Sequence, residues 1–194
     1  MRSKVVVILA GLCVFISACA TNKTIPVAST IERMGVVYLI RSDKPFTGVV
    51  ITKYISGRPK TSIEYAEGIK HGRQIEWLEN GRKSEVITWH NGLRDGEQVE
   101  WYENQQKAFQ GRMQQGKWVG ECLGWYPDGR PAFQICFQDG QGKGNTIEIT
   151  WNNNNLVHNF PDVKIDGAWI EWHASGKLVR WERYDSGKLV EKRK

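Results

Sequence analysis

The chain has 194 residues, 40% of them hydrophobic and 25% charged, and its 27 Lys and Arg against 21 Asp and Glu give a net charge of +6. The basic residues are interleaved with acidic ones, which argues against a nucleic-acid-binding stripe. The apolar run Val5 to Ile16 is about a dozen residues long, too short to span a bilayer as a permanent helix.

That run is the first element. Arg2 and Lys4 precede it and Ile16-Ser17-Ala18-Cys19 follows, the order of a lipoprotein signal, so residues 1–18 are expected to be cleaved and Cys19 to be acylated. A plain secretory peptide with an incidental cysteine is the alternative. Losing Arg2 and Lys4 from the 27 basic residues leaves 25 against 21 acidic ones, a net +4. In the lipoproteins that this start resembles, aspartate after the cysteine marks retention at the inner membrane. Ala20 therefore points to the outer membrane, facing the periplasm, with palmitate-like chains adding about 0.8 kcal/mol per buried methylene. Residues 19–30 contain Thr, Asn, Pro, Ala and Ser without periodicity and read as a lipidated tether.

Residues 31–194 read as a repeat domain. Gly48, Gly72, Gly96, Gly120 and Gly144 recur every 24 residues, with Gly167 one residue early, the mark of a stacked repeat. Counting from each glycine, Ile51, Ile75, Val99, Leu123, Ile147 and Ile170 stand at offset 3, and Trp77, Trp101, Trp125 and Trp172 at offset 5. A turn follows at Gly57, Gly81, Gly129 and Gly176, then a second run with Tyr65, Trp89, Met113, Phe137 and Tyr184, then a glycine again at Gly68, Gly92, Gly116, Gly140 and Gly187. The alternation in Gln74-Ile75-Glu76-Trp77 has the period of a strand, not of a helix. Links of about three residues, such as Leu93-Arg94-Asp95, leave no room for a crossover, so hairpins must pair in sequence. The sequence therefore predicts an all-β fold: a single elongated, twisted antiparallel meander of stacked β-hairpins with almost no helix. Val36 to Gly48 reads as the second half of a further unit. The fifth unit breaks the pattern with Trp151, Asn152 to Asn155 and Pro161, which predicts a bulge or longer loop.

Gly72, Trp77, Asn80-Gly81, Trp89 and Gly92 together resemble the bacterial variant of the MORN repeats, named for membrane occupation and recognition nexus, over Val36 to about Val190. The resemblance implies a hairpin scaffold and, since many bacterial members are labelled antitoxins, a protein partner such as a toxin. Scaffolds of this kind are reused for unrelated partners.

Matching the apolar residues places offsets 3, 5, 15 and 17 on one face, with Trp77, Trp101, Trp125, Trp172, Trp89, Phe137 and Tyr184 as the repeat core. Four tryptophans would present roughly 600 to 1,000 Å², more than a soluble monomer leaves bare. Either twist packs them against one another, or part of the surface receives a partner. The binding candidates are the other-face column Tyr54, Tyr102 and Tyr126, with Trp169 and Trp181 in the last unit. Glu76, Glu100, Glu148 and Glu171 recur at offset 4 but lie two strand spacings apart, about 9.6 Å, so the repeat itself explains them and surface pairing is expected.

The same matching sets Cys122 opposite Cys136, within reach of a disulfide that would close a loop of about 15 residues for about 3 kcal/mol; two buried thiols are the alternative. His71, His90, His158 and His173 stand at unrelated offsets, no nucleophile has a catalytic setting, and Gly140 to Gly144 precedes no helix. No catalytic residue, cofactor or metal site is expected. The leading expectation is a non-enzymatic envelope lipoprotein that binds a protein partner, antitoxin-like or immunity-like. A glycan- or membrane-surface-binding module and a structural envelope component stand beside it. Open sheet edges would suit a homo-oligomer unless charges such as Lys188, Lys192 and Arg193 guard them.

Overall fold

The computed structural model describes residues 23–137, 148–152, 155–159 and 165–193. The signal segment, Cys19, Gly140, Gly144 and Pro161 lie outside the described residues. The strands are β1 (Thr24–Pro26), β2 (Thr30–Arg33), β3 (Val36–Leu39), β4 (Gly48–Lys53), β5 (Pro59–Ala66), β6 (Ile69–Trp77), β7 (Lys83–His90) and β8 (Leu93–Trp101). They continue with β9 (Lys107–Gln114), β10 (Lys117–Trp125), β11 (Pro131–Phe137), β12 (Glu148–Asn152), β13 (Asn155–Asn159), β14 (Ile165–Trp172), β15 (Leu178–Asp185) and β16 (Lys188–Arg193). Among the described residues the only helical turn is the 3-10 segment Val27–Ser29.

The fold is all-β. Twelve strands form one sheet in the order β1-β4-β5-β6-β7-β8-β9-β10-β11-β14-β15-β16, a long meander of antiparallel hairpins. Three features depart from the sequence reading. Thr24–Pro26, expected in the tether, adds to the sheet edge in parallel with β4, and Ile25 is buried there. Val36–Leu39 pairs with Thr30–Arg33 as a separate hairpin and joins no strand of the large sheet. The irregular fifth unit is a two-stranded hairpin, β12 with β13, and β11 pairs directly with β14 across it in sequence.

Two turn chemistries alternate. At one end of the hairpins, two-residue turns have positive φ at both positions: 49° and 76° at Glu67-Gly68, 49° and 81° at Asn91-Gly92, 48° and 77° at Gln115-Gly116 and 51° and 83° at Ser186-Gly187. This is the turn whose twist matches paired strands. Leu93-Arg94-Asp95, expected as a link, is therefore strand from its first residue. At the other end, Gly81 N–H donates to the Leu78 carbonyl and Leu78 N–H to the Arg82 carbonyl, both at 2.8 Å, and Gly81 has φ 86°: a three-residue loop closed by a glycine bulge. In the third unit Gln105 occupies that position with φ 71°.

The glycine that marks the period is a mid-strand bulge. Ile63 pairs with Gln74 and Tyr65 with Lys70, so His71, Gly72 and Arg73 stand opposite Glu64 alone. The same slip occurs at Gly96, Gly120 and Gly167, and those glycines, like Gly72, have positive φ, which a side chain tolerates poorly.

Turn and bulge together set a register one residue away from the one that apolar matching predicts. Gln74 opposes Ile87, Glu76 opposes Glu85 and Gly72 opposes Trp89. Offsets 2 and 4 therefore share a face with offsets 13, 15 and 17, and Trp77, Trp101, Trp125 and Trp172 at offset 5 fall on the other, each half-buried. The expected single core column is thus two: Trp89, Phe137 and Tyr184 lie on one face, the four offset-5 tryptophans on its reverse. Neighbouring residues of a strand point to opposite faces, so a one-residue slip moves every side chain across.

The core lies on the first of these faces. Phe109, Met113, Trp118, Cys122, Tyr126, Ala132, Phe133, Ile135, Phe137 and Ile165 form one buried cluster, with Trp169 and Tyr184 packed against it. Gly124 lacks a side chain, so the Phe133 ring lies over it. A smaller cluster of Ile25, Val37, Phe46 and Val50 closes the first end.

Candidate functional site

Between the two clusters the same slots of the repeat carry polar groups. Where the fourth unit has Trp118, Cys122 and Gly124, the second has Lys70, Gln74 and Glu76 and the third has Arg94, Gln98 and Glu100. Lys70 Nζ donates to Gln74 Oε1 at 3.1 Å, and Gln74 Nε2 donates to Glu76 Oε1 at 3.1 Å. Arg94 Nη1 donates to Gln98 Oε1 at 3.2 Å, and Gln98 Nε2 donates to both Glu100 and Glu85 Oε1 at 3.0 Å. Each unit is a relay from cation through buried amide to carboxylate.

Glu85 joins the two relays. It opposes Glu76 on one side and Glu100 on the other, which puts three carboxylates in a row on adjacent strands. Like charges directly opposite repel. Burial, then the charges of Glu100 and Glu76, push the Glu85 carboxyl up to about 7. Burial raises Glu100 as well, against the pull of its bond to Gln98. Burial first, and the Arg94 charge second, lower Lys70. Trp89 lies beside them, with Lys70 Nζ 4.3 Å and the Arg94 guanidinium carbon 5.6 Å from its ring centre. Its buried Nε1 has no hydrogen-bond partner among the described residues. The site offers fixed acceptor oxygens, two placed cations and an aromatic face.

The site is not legible in the sequence because Glu85 stands at offset 13, outside the offset-4 column, and because the pairing lies one residue from the register that apolar matching predicts. The signal present was the recurrence of a cation two residues before the leading glycine and of Gln two residues after it.

The hydroxyls of the expected binding tyrosines bond within the sheet. Tyr54 Oη donates to the Trp77 carbonyl at 2.7 Å, Tyr102 Oη to Trp125 at 2.8 Å and Tyr126 Oη to Trp172 at 2.8 Å. Each hydroxyl ties one unit to the next strand pair, and Tyr126 reaches past the excluded fifth unit to do so. Of the other two candidates, Trp169 sits on the core face with Arg180 4.2 Å from its ring centre and Nε1 on Glu171 Oε1 at 2.6 Å. Trp181 carries Arg193 at 3.9 Å.

The cysteine pairing is corrected by the register. Cys122 opposes Ile135, Cys136 opposes Glu121, and the two thiols are free, on opposite faces of their strands. Burial pushes the Cys122 thiol up to about 12 and raises Cys136 too, which disfavours the reactive thiolate.

No family model matches this chain, and no curated protein is significantly similar to it.

Proposed function

We propose that this protein is a non-enzymatic envelope lipoprotein whose MORN-like hairpin sheet binds a protein partner in an antitoxin-like or immunity-like role. The observation that carries this reading is the half-buried, partly accessible tryptophan column Trp77, Trp101, Trp125 and Trp172, held on strands that the tyrosine hydroxyls and turn bonds fix in place. Aromatic side chains on a rigid sheet lose little freedom on binding and supply most of the energy at protein interfaces. The relay on the reverse face adds charge selectivity to the same strands.

The test is a pull-down with the full chain from envelope extracts of its own host. One partner should be enriched and then lost in the Trp77→Ala/Trp101→Ala variant while that variant keeps its strand spectrum. Equal recovery by the variant, or recovery that follows peptidoglycan or lipid vesicles instead of protein, overturns the reading in favour of the glycan- or membrane-surface alternative.

A further inference from the structure

Antiparallel pairing brings together two histidines that stand at unrelated offsets of the repeat. Gly72 opposes Trp89, so one step along the same pair of strands His71 opposes His90. Their ring centres are 4.8 Å apart with the planes tilted by 47°. His71 is half-buried and His90 exposed. Alternation places His90 on the face opposite Trp89, away from the carboxylate row.

His71 is also oriented. Its Nδ1 lies 3.2 Å from Asn91 Oδ1; the neutral tautomer that donates from Nδ1 to this oxygen has its lone pair on Nε2. Ring orientation by an acceptor on the second nitrogen is how metal-ligating histidines are held. Asn91 is held in turn by the tight turn that follows β7, where its φ is 49°. The Glu64 carboxylate fills the space beside Gly72 where a side chain would lie.

We propose that His71 and His90 form a two-imidazole chelate for a divalent transition ion of the class that prefers nitrogen donors, Cu²⁺, Ni²⁺ or Zn²⁺, and that the bound ion clamps β6 to β7. Bonds of about 2.0–2.1 Å from each imidazole nitrogen are within the reach of two rings at this separation. Ring nitrogens suit these ions better than they suit Mg²⁺ or Ca²⁺. Among the described residues no set of three His, Cys, Asp or Glu donors gathers anywhere, so the ion keeps positions for water or for a donor from a partner. This is an open site, unlike a closed structural zinc centre.

The experiment uses the full chain without a polyhistidine tag, titrated with CuSO₄, NiSO₄ or ZnCl₂ alone. Calorimetry should show one ion per chain, and the Cu²⁺ complex should show two equatorial nitrogens by electron paramagnetic resonance. His71→Ala and His90→Ala should each weaken binding at least tenfold, while His173→Ala leaves it unchanged. Asn91→Gly keeps the backbone conformation and should weaken binding a few-fold by freeing the His71 ring. Saturating ion should raise the thermal midpoint of the parent chain and leave that of His71→Ala/His90→Ala unmoved. Absence of saturable binding, or binding unchanged in the double variant, overturns the proposal.

Discussion

The tyrosine hydroxyls at the ends of β4, β8 and β10 do the work of a buried ladder of bonds with one polar atom each. Tyr102 Oη meets the Trp125 carbonyl at 2.8 Å across a unit boundary, and burial, first among its causes, raises the Tyr102 pKa. Replacing Tyr102 by Phe keeps the ring and removes the donor, so stability should fall by about 0.5–1.5 kcal/mol, read as a lower urea midpoint. The same column already holds a natural variant: Leu78 stands where Tyr54, Tyr102 and Tyr126 stand in their own units. An unchanged midpoint in Tyr102→Phe would show that the bond contributes nothing net. Gly111 is constrained differently, because a Cβ there would come within 2.7 Å of Cys122 Sγ, and it is this close approach, with no positive φ, that requires glycine.

At the scale of elements, β6, β7 and β8 bring three carboxylates face to face. Glu85 is held above its ordinary value of 4.5, at about 7, so the folded state takes up its proton more readily than the unfolded chain does. Its contribution to stability is therefore complete below about 4.5 and is lost as the pH rises through about 7, the direction set by proton linkage. The measurement is urea denaturation of the parent and of Glu85→Gln at a series of pH values across that window. The parent should lose stability towards the upper end, and Glu85→Gln, which cannot ionise, should lose much less. Parallel curves for the two proteins would exclude Glu85 as the titrating group. Arg94 and Gln98 both face this carboxylate and favour its ionised form, yet burial and the two neighbouring acids outweigh them.

Across the whole molecule, apolar burial is uneven. The large cluster spans β9, β10, β11 and β14, with Ile135 and Cys122 fully buried, whereas every residue of β16 is exposed. Among the described strands of the large sheet the main contacts are between neighbours, so stability is a sum of local and interface terms. Amide hydrogen exchange should therefore be slowest around Phe109, Cys122 and Ile135 and faster by orders of magnitude in β16 and in the β2–β3 hairpin. Uniform protection along the sheet would contradict this gradient. The two edges also differ: β1 has three residues and ends in Pro26, which lacks a donor, while β16 is guarded by Lys188, Lys192 and Arg193.

The hairpin, the period and the all-β class are legible in the chain alone, because glycine turns and alternating strands are local: Asn91-Gly92 and Gln74-Ile75-Glu76-Trp77 can be read without knowing what lies beside them. Which residues share a face depends on how the strands pair. The bulges at Gly72, Gly96, Gly120 and Gly167 insert two residues and keep the faces, but the bulge at each three-residue loop inserts one, and one residue of shift exchanges the faces of a strand. That is why Cys122 meets Ile135 and not Cys136, why Glu85 sits between Glu76 and Glu100, and why His71 comes to lie against His90. The jump of Tyr126 to Trp172 was equally closed to the sequence, since it exists because β12 and β13 stand outside the large sheet and β11 pairs with β14.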